Sequence, residues 1–276
     1  MKWHKLVLYD MRHGLLRNRY FFIPFIVLLP CFSCWYMLKG NGFVASVSEL
    51  LLFCFKGARA IENDAAILDF QLPIYWLLII GGCLLMNLDY LPSDLTSAGQ
   101  QVIIRCDNRT KWFLSKCIWN ISSSLIYFTS VLLSIFLFAI ITDGQIFGRN
   151  DPVVLTLIWD DMQGVPYSIE DIELLLIAIV LPFSTICALN MLEMTLCLLT
   201  KPVISFTGCM VLLVIALFVD SPFILGNGAM TIRCVNIIKS EIALENMFAA
   251  TILTVLFCIL IGSMCIRKMD IIGMEE

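Results

Sequence analysis

The sequence predicts an all-α polytopic membrane protein with six transmembrane helices, on three observations. Hydrophobic residues make up 60% of the chain and charged residues 14%, where a soluble domain carries about 25% charged residues. Six segments, residues 21–38, 73–88, 118–141, 174–199, 202–219 and 247–266, are each apolar over about 17 residues, roughly what a helix needs to cross a hydrocarbon core. Lys and Arg fall unevenly between the connections of those segments. A soluble fold with a mean hydropathy of +0.90 would be six buried helices with almost no surface, and is excluded. The spans and their connections nearly use up the 276 residues, which leaves no room for a separate soluble domain.

Orientation follows from the basic residues, because short cytoplasmic loops retain them during insertion. With both termini inside, the cytosolic side holds Lys2, Lys5, Arg12, Arg17, Arg19, Arg105, Arg109, Lys111, Lys116, Lys201, Arg267 and Lys268, twelve of the 18. The other six are spread over three longer outer connections. Residues 1–20 read as an amphipathic interface helix, with Trp3, Val7, Met11 and Leu15 at helical spacing and Lys5, Arg12, Arg17 and Arg19 as charge. Such a helix can rest its basic side on anionic lipid, with Trp3, Arg17 and Arg19 as anchors; it can equally serve as a basic segment that sets orientation. Residues 21–276 form the six-span domain. The first apolar run is too long for a signal-peptide core and no small-x-small cleavage site follows it. In the outer segment 44–55, Val44, Val47, Leu51 and Phe55 align as a short helix lying on the membrane.

Chemistry-bearing motifs are scarce. Most of the 12 cysteines fall inside spans, where cysteine acts as a small apolar residue. Cys31 and Cys34 form a C-x-x-C pair without a second pair or a histidine cluster, so no metal is expected. Cys54 and Cys234 share the outer side and could pair. There is no phosphate loop, H-E-x-x-H or G-x-S-x-G pattern, so no catalytic residue and no cofactor is expected in this chain. Asn190 and Glu193 in the fourth span form a candidate intramembrane polar site, because ionisable groups there are costly and often functional. Helix-end hydrogen bonding accounts for most other polar residues near span ends.

The connection between the second and third spans carries more information. Pro92 and Ser93 break the chain, and Ser93, Asp94 or Thr96 caps a new helix. On that helix Leu95, Ala98, Val102 and Cys106 share one side, and Asp94, Gln101, Arg105 and Asn108 another. Ile103 and Ile104 fit neither side, as though meant for a protein partner. Lys111 and Trp112 then form a basic-aromatic anchor at the start of the third span.

A basic interface helix, six spans, the run Gly99-Gln100-Gln101-Val102-Ile103-Ile104-Arg105 and then Arg109-x-Lys111-Trp112 together resemble the permease subunits of ABC-2 type ABC transporters. The resemblance covers essentially the whole chain and rests on layout more than on invariant residues. It implies that the connection is a cytosolic coupling helix docking on a separate ATPase subunit. Its contact residues would be Gln100, Gln101, Ile103, Ile104, Arg105, Asn108 and Arg109. It also implies partners: two ATPase subunits, which bind ATP and Mg2+, and a second permease copy or a homologous permease. No nucleic acid is involved. The segment Ser221–Gly228, rich in glycine and with Pro222, is similar to the place where that family has a re-entrant segment before the last span.

The implied activity is export of an amphipathic substrate (peptide, bacteriocin or drug) across the plasma membrane. The outer connection after the third span holds Asp143, Asp151, Asp160, Asp161, Glu170, Asp171 and Glu173 against Arg149. Asp160 and Asp161 are thus candidates for a vestibule that attracts cationic substrates, and such acids are also what remains when basic residues are kept inside. Three other classes stay open: an ion-coupled secondary transporter, an intramembrane enzyme, and a membrane sensor or scaffold subunit.

Overall fold

The computed structural model describes residues 3–15, 22–59, 70–96, 102–103, 108–142, 144, 152–158, 176–233 and 244–268. Among them are ten α-helices and no β-strand. They are α1 (Trp3–Leu15), α2 (Ile23–Gly40), α3 (Val47–Cys54), α4 (Ile74–Asn87), α5 (Tyr90–Thr96), α6 (Arg109–Ile141), α7 (Pro152–Ile158), α8 (Leu181–Cys197), α9 (Pro202–Phe218) and α10 (Leu244–Lys268). A π-turn, Leu176–Val180, leads into α8, and a 3₁₀ turn, Leu225–Ala229, lies between α9 and α10.

Local chemistry explains the helix starts. Pro24, Pro182 and Pro202 sit in first turns, where a missing N–H costs nothing. Ser46 and Glu49 form a reciprocal capping box on α3. The Asn108 side chain accepts from the Thr110 N–H at 2.9 Å and starts α6. That start lies well ahead of residue 118, where hydropathy alone begins the third span. α6 runs unbroken for 33 residues, about 50 Å at 1.5 Å per residue. It therefore extends far beyond a hydrocarbon core of about 30 Å, and Arg109–Ser115 is helix, not loop.

Five stretches among the described residues are long and apolar enough to cross a membrane: Ile23–Gly40, Ile74–Leu95, Arg109–Ile141, Leu176–Cys197 and Glu245–Lys268. α9 is a shorter apolar helix of 17 residues. α8 is the central helix, packed on α4, α6, α9 and α10, and its residues are buried on nearly every side. The outer helices turn large apolar side chains away from the protein: Phe25, Leu29 and Phe32 on α2, Leu133 and Leu137 on α6, Leu256 and Leu260 on α10. Such continuous exposed apolar surface marks a chain whose solvent is lipid. The protein is an all-helical, multi-pass membrane protein.

α3 is present within the segment expected to be helical, and it is packed into the protein. Glu49, Leu50, Leu51, Leu52 and Cys54 are all buried, because α3 is packed against α2, α4, α6 and α7. Val44, expected on its apolar side, is exposed. Next to α3, the chain at Phe55–Lys56 accepts main-chain hydrogen bonds from Thr231 (2.8 Å) and Ile232 (3.2 Å). Gly57 follows with φ +74°, and a Cβ there would lie 2.4 Å from Met230. Cys54 is a buried free thiol, and Cys234 falls outside the described residues.

α1 and the C-terminal end of α10 both contact the first turns of α6. Asp10 of α1 contacts Lys116, and Arg267 of α10 donates to Thr110 Oγ1 at 2.8 Å, both within the first turns of α6. The α6–α10 contact is close: a Cβ at Gly262 would sit 2.1 Å from the Phe113 ring. Gly262→Ala is therefore expected to cost about 1–3 kcal/mol through overpacking, read as a lower thermal midpoint in detergent. Gly208→Ala, whose Cβ would meet only Leu196 at 3.9 Å, is expected to be neutral or stabilising.

Candidate functional site: the docked N-terminal helix

α1 lies against the protein along one face, Leu6, Asp10 and Gly14, spaced four residues apart and buried. Leu6 joins an apolar cluster with Leu91, Leu95, Ile103, Trp112 and Phe113. Gly14 seats the Trp119 indole on bare backbone, since a Cβ would lie 2.0 Å from its Nε1. Between these contacts stands Asp10. Its carboxylate accepts from Ser115 Oγ (2.5 Å), Lys116 Nζ (2.5 Å) and Tyr90 Oη (3.0 Å).

Lys116 is enclosed on all sides. Its ammonium also meets Asp94 Oδ2 at 2.6 Å, as an ion pair without an aligned hydrogen bond. It lies 4.8 Å from the Tyr90 ring centroid and 5.0 Å from that of Trp112, where the π faces favour a cation. Tyr90 in turn stacks on Trp119 at 3.8 Å. One buried cation thus faces two buried carboxylates. Burial, then the charges of Asp94 and Asp10, pushes the Tyr9 phenol on α1 above its usual range.

The cluster joins three elements. Asp94 lies on α5, at the entrance to the connection 97–108, and Lys116 lies on α6, just past its exit. α1 clamps both sides.

This geometry revises several expectations. Pro92 and Ser93 do not break the chain; the helix is interrupted at Leu88–Asp89 and resumes with Tyr90, so both lie inside α5. Asp94 pairs with Lys116 instead of capping a helix. Ile103 does not protrude toward a partner: it is 2% exposed, held in the apolar cluster beneath α1. Asn108 caps α6, Arg109 is half-buried and Lys111 is exposed. Trp112 is buried beside Lys116 and does not face lipid headgroups, whereas Trp3 is exposed. Gln100, Gln101, Ile104, Arg105, Arg17, Arg19, Asp160 and Asp161 lie outside the described residues. Asn190 and Glu193 are buried on α8, where the Asn190 amide donates to Ser124 Oγ at 2.7 Å.

Sequence reasoning missed Asp10 and Lys116 as a pair. One signal was available: Asp10 is the sole acidic residue before Glu49, in an otherwise basic segment.

Neither a curated protein nor a solved structure is significantly similar to the chain. The sequence does match one protein family, over residues 27–272, nearly all of the spans and connections described above. The chain therefore belongs to the family described as Protein of unknown function (DUF2705).

Proposed function

We propose that the chain is the transmembrane permease subunit of an ATP-driven exporter resembling the ABC-2 type, pushed by a separate ATPase subunit that binds ATP and Mg2+. The observation that carries this reading is the clamp of α1 on both sides of the connection 97–108 through Asp10, Lys116 and Asp94. An element that receives force from a partner has to be joined rigidly to the spans it moves, and buried ion pairs on a long helix supply that joint. ATP binding would favour one arrangement of the permease only through contacts that differ between its states.

Two further features support the layout. α1 and the end of α10 both meet the start of α6, as expected if the chain crosses an even number of times and returns to its starting side. α9 would be the additional crossing, since Val203, Ile204, Val211 and Phe218 turn outward. The turn at Leu225–Ala229 is packed among α8, α9 and α10, and the Asn227 amide donates to the Val219 and Ser221 carbonyls, both at 2.8 Å. Irregular backbone satisfied in this way suits a re-entrant segment. Twelve of the Lys and Arg gathered on one side of the spans favour cytosolic termini.

The test is a detergent pull-down of the tagged chain from native membranes, alongside Arg105→Glu and Arg109→Glu. An ATPase subunit that binds the wild type and is lost from both variants supports the reading. Its absence from a folded wild-type preparation overturns it and favours an ion-coupled secondary transporter, for which buried Glu193 is the specific feature. The substrate class is proposed as cationic and amphipathic. Neutralising Asp160 and Asp161 is expected to weaken export of a cationic peptide most at low ionic strength; equal export at low salt would remove the vestibule from the proposal.

A further inference from the structure

A polar seam runs between α4, α6 and α8. Ser124 Oγ donates to the Asn120 carbonyl at 2.9 Å, so its lone pairs face Asn190. Asn190 must then present its NH2 group, and it donates to Ser124 Oγ at 2.7 Å and to Cys83 Sγ at 3.1 Å. Asn120 Nδ2 donates to the Asn190 carbonyl at 3.2 Å. These bonds determine which end of the Asn190 amide is nitrogen. Donors are taken up inside the seam, and three oxygens stay buried without a partner: Asn120 Oδ1, Asn190 Oδ1 and Glu193 Oε1.

The imbalance has a chemical meaning. Buried acceptors are ordinarily paired, and a carboxyl group among apolar helices needs either a proton or a positive charge beside it. Glu193 follows Asn190 by three residues, hence on the same side of α8, and is 1% exposed. Asp89, half-buried after α4, adds a second carboxylate whose field reaches Glu193; the thiols Cys83, Cys197 and Cys209 are its other titratable neighbours. An anion is excluded on charge. A proton on Glu193 supplies one donor, enough for one amide oxygen, and leaves the other unpaired. A small hard cation suits amide and carboxylate oxygens together, and one buried carboxylate balances one positive charge.

We propose that Asn120, Asn190 and Glu193 form an intramembrane binding site for a small monovalent cation. The site stands whether or not an ATPase drives the protein. The probe is sodium. The purified full chain in detergent is melted in choline chloride and in NaCl at matched ionic strength, and ²²Na⁺ binding is measured on the same preparation. A saturable rise of about 5 °C in the midpoint and about one ion bound per chain are expected. Glu193→Gln is expected to abolish the rise and to weaken binding at least tenfold. Asn120→Leu removes one of the oxygens without touching the carboxylate, and is expected to lose the sodium response while its midpoint in choline holds or increases. Equal midpoints in sodium and choline, no ²²Na⁺ on folded wild type, or a sodium response that survives in Glu193→Gln each overturn the proposal. A wild-type midpoint that falls from pH 6 to pH 9 with no sodium dependence also overturns it, and leaves a proton as the occupant.

Discussion

Lys116→Met is expected to release α1 and to destabilise the protein by about 3–5 kcal/mol, the usual consequence of stripping a buried ion of its partner. The substitution leaves Asp10 and Asp94 buried together with no cation between them. Asp10→Asn is expected to cost much less, because it leaves a neutral Lys116–Asp94 pair and keeps an acceptor for Ser115 and Tyr90. The triple variant Lys116→Met, Asp10→Asn, Asp94→Asn carries no buried charge in the cluster and is expected to recover most of the loss, as neutral replacements of buried pairs often do. Thermal midpoints of the single and combined variants measure the coupling. Tryptic cleavage at Lys5 and Arg12 reports the docking of α1. A Lys116→Met protein with the wild-type midpoint and a protected α1 would show that the apolar contacts of Leu6 and the Gly14–Trp119 seat hold the helix by themselves.

Arg233→Leu is the second large effect, expected at about 3–5 kcal/mol. Arg233 is 1% exposed, and its guanidinium is surrounded by acceptors. Nε donates to the Ala58 carbonyl at 2.9 Å and Nη2 to that of Leu217 at 2.7 Å, while Nη1 reaches the Ala216 carbonyl and Asn227 Oδ1. Ala216 and Leu217 belong to the last turn of α9, where carbonyls lack intrahelical partners and the helix dipole is negative. One side chain therefore caps α9, fastens the 3₁₀ turn and ties both to the segment after α3. Arg233→Lys keeps the charge but cannot spread planar donors over carbonyls in several directions, so a partial loss is expected. The thermal midpoint in detergent reads both variants. If Arg233→Lys matched the wild type, the charge at the helix end, and not the fork of donors, would be what stabilises this region.

Much of the fold was legible because hydropathy is a local quantity. The segments that become α2, α4, α6, α8 and α10 were visible, as was the apolar run that becomes α9. Boundaries were harder wherever polar residues belong to a helix. The third span was expected from residue 118, yet Arg109, Lys111 and Lys116 all lie within α6, since helix formation tolerates charge that a hydropathy window rejects. The short helix α3 was found by its periodicity, but its surroundings were not; a period shows which residues share a face and not what that face meets.

The candidate site was legible only in outline. The pattern of the connection 97–108 points Ile103 at a partner, whereas in the structure it is buried in the cluster with Leu6 of α1. Trp112 and Lys116 carry the ordinary signature of a cytosolic boundary, and the same residue types serve equally well inside a buried ion cluster. Arg233 counted simply as one of a few outer charges.

By itself the sequence determined that this is a helical, multi-pass membrane protein, which segments are apolar enough to be spans, and that its first residues form a basic helix. Those properties depend on each segment's transfer free energy and periodicity, which add up locally. Tertiary structure alone decided that Leu6, Asp10 and Gly14 are the docking face of that helix, that Lys116 is buried between Asp10 and Asp94, and that Arg233 caps α9. Asp10 and Lys116 are 106 positions apart, and Arg233 is 175 from Ala58. No periodic trace connects such pairs, because their attraction exists only once packing has removed water from between them.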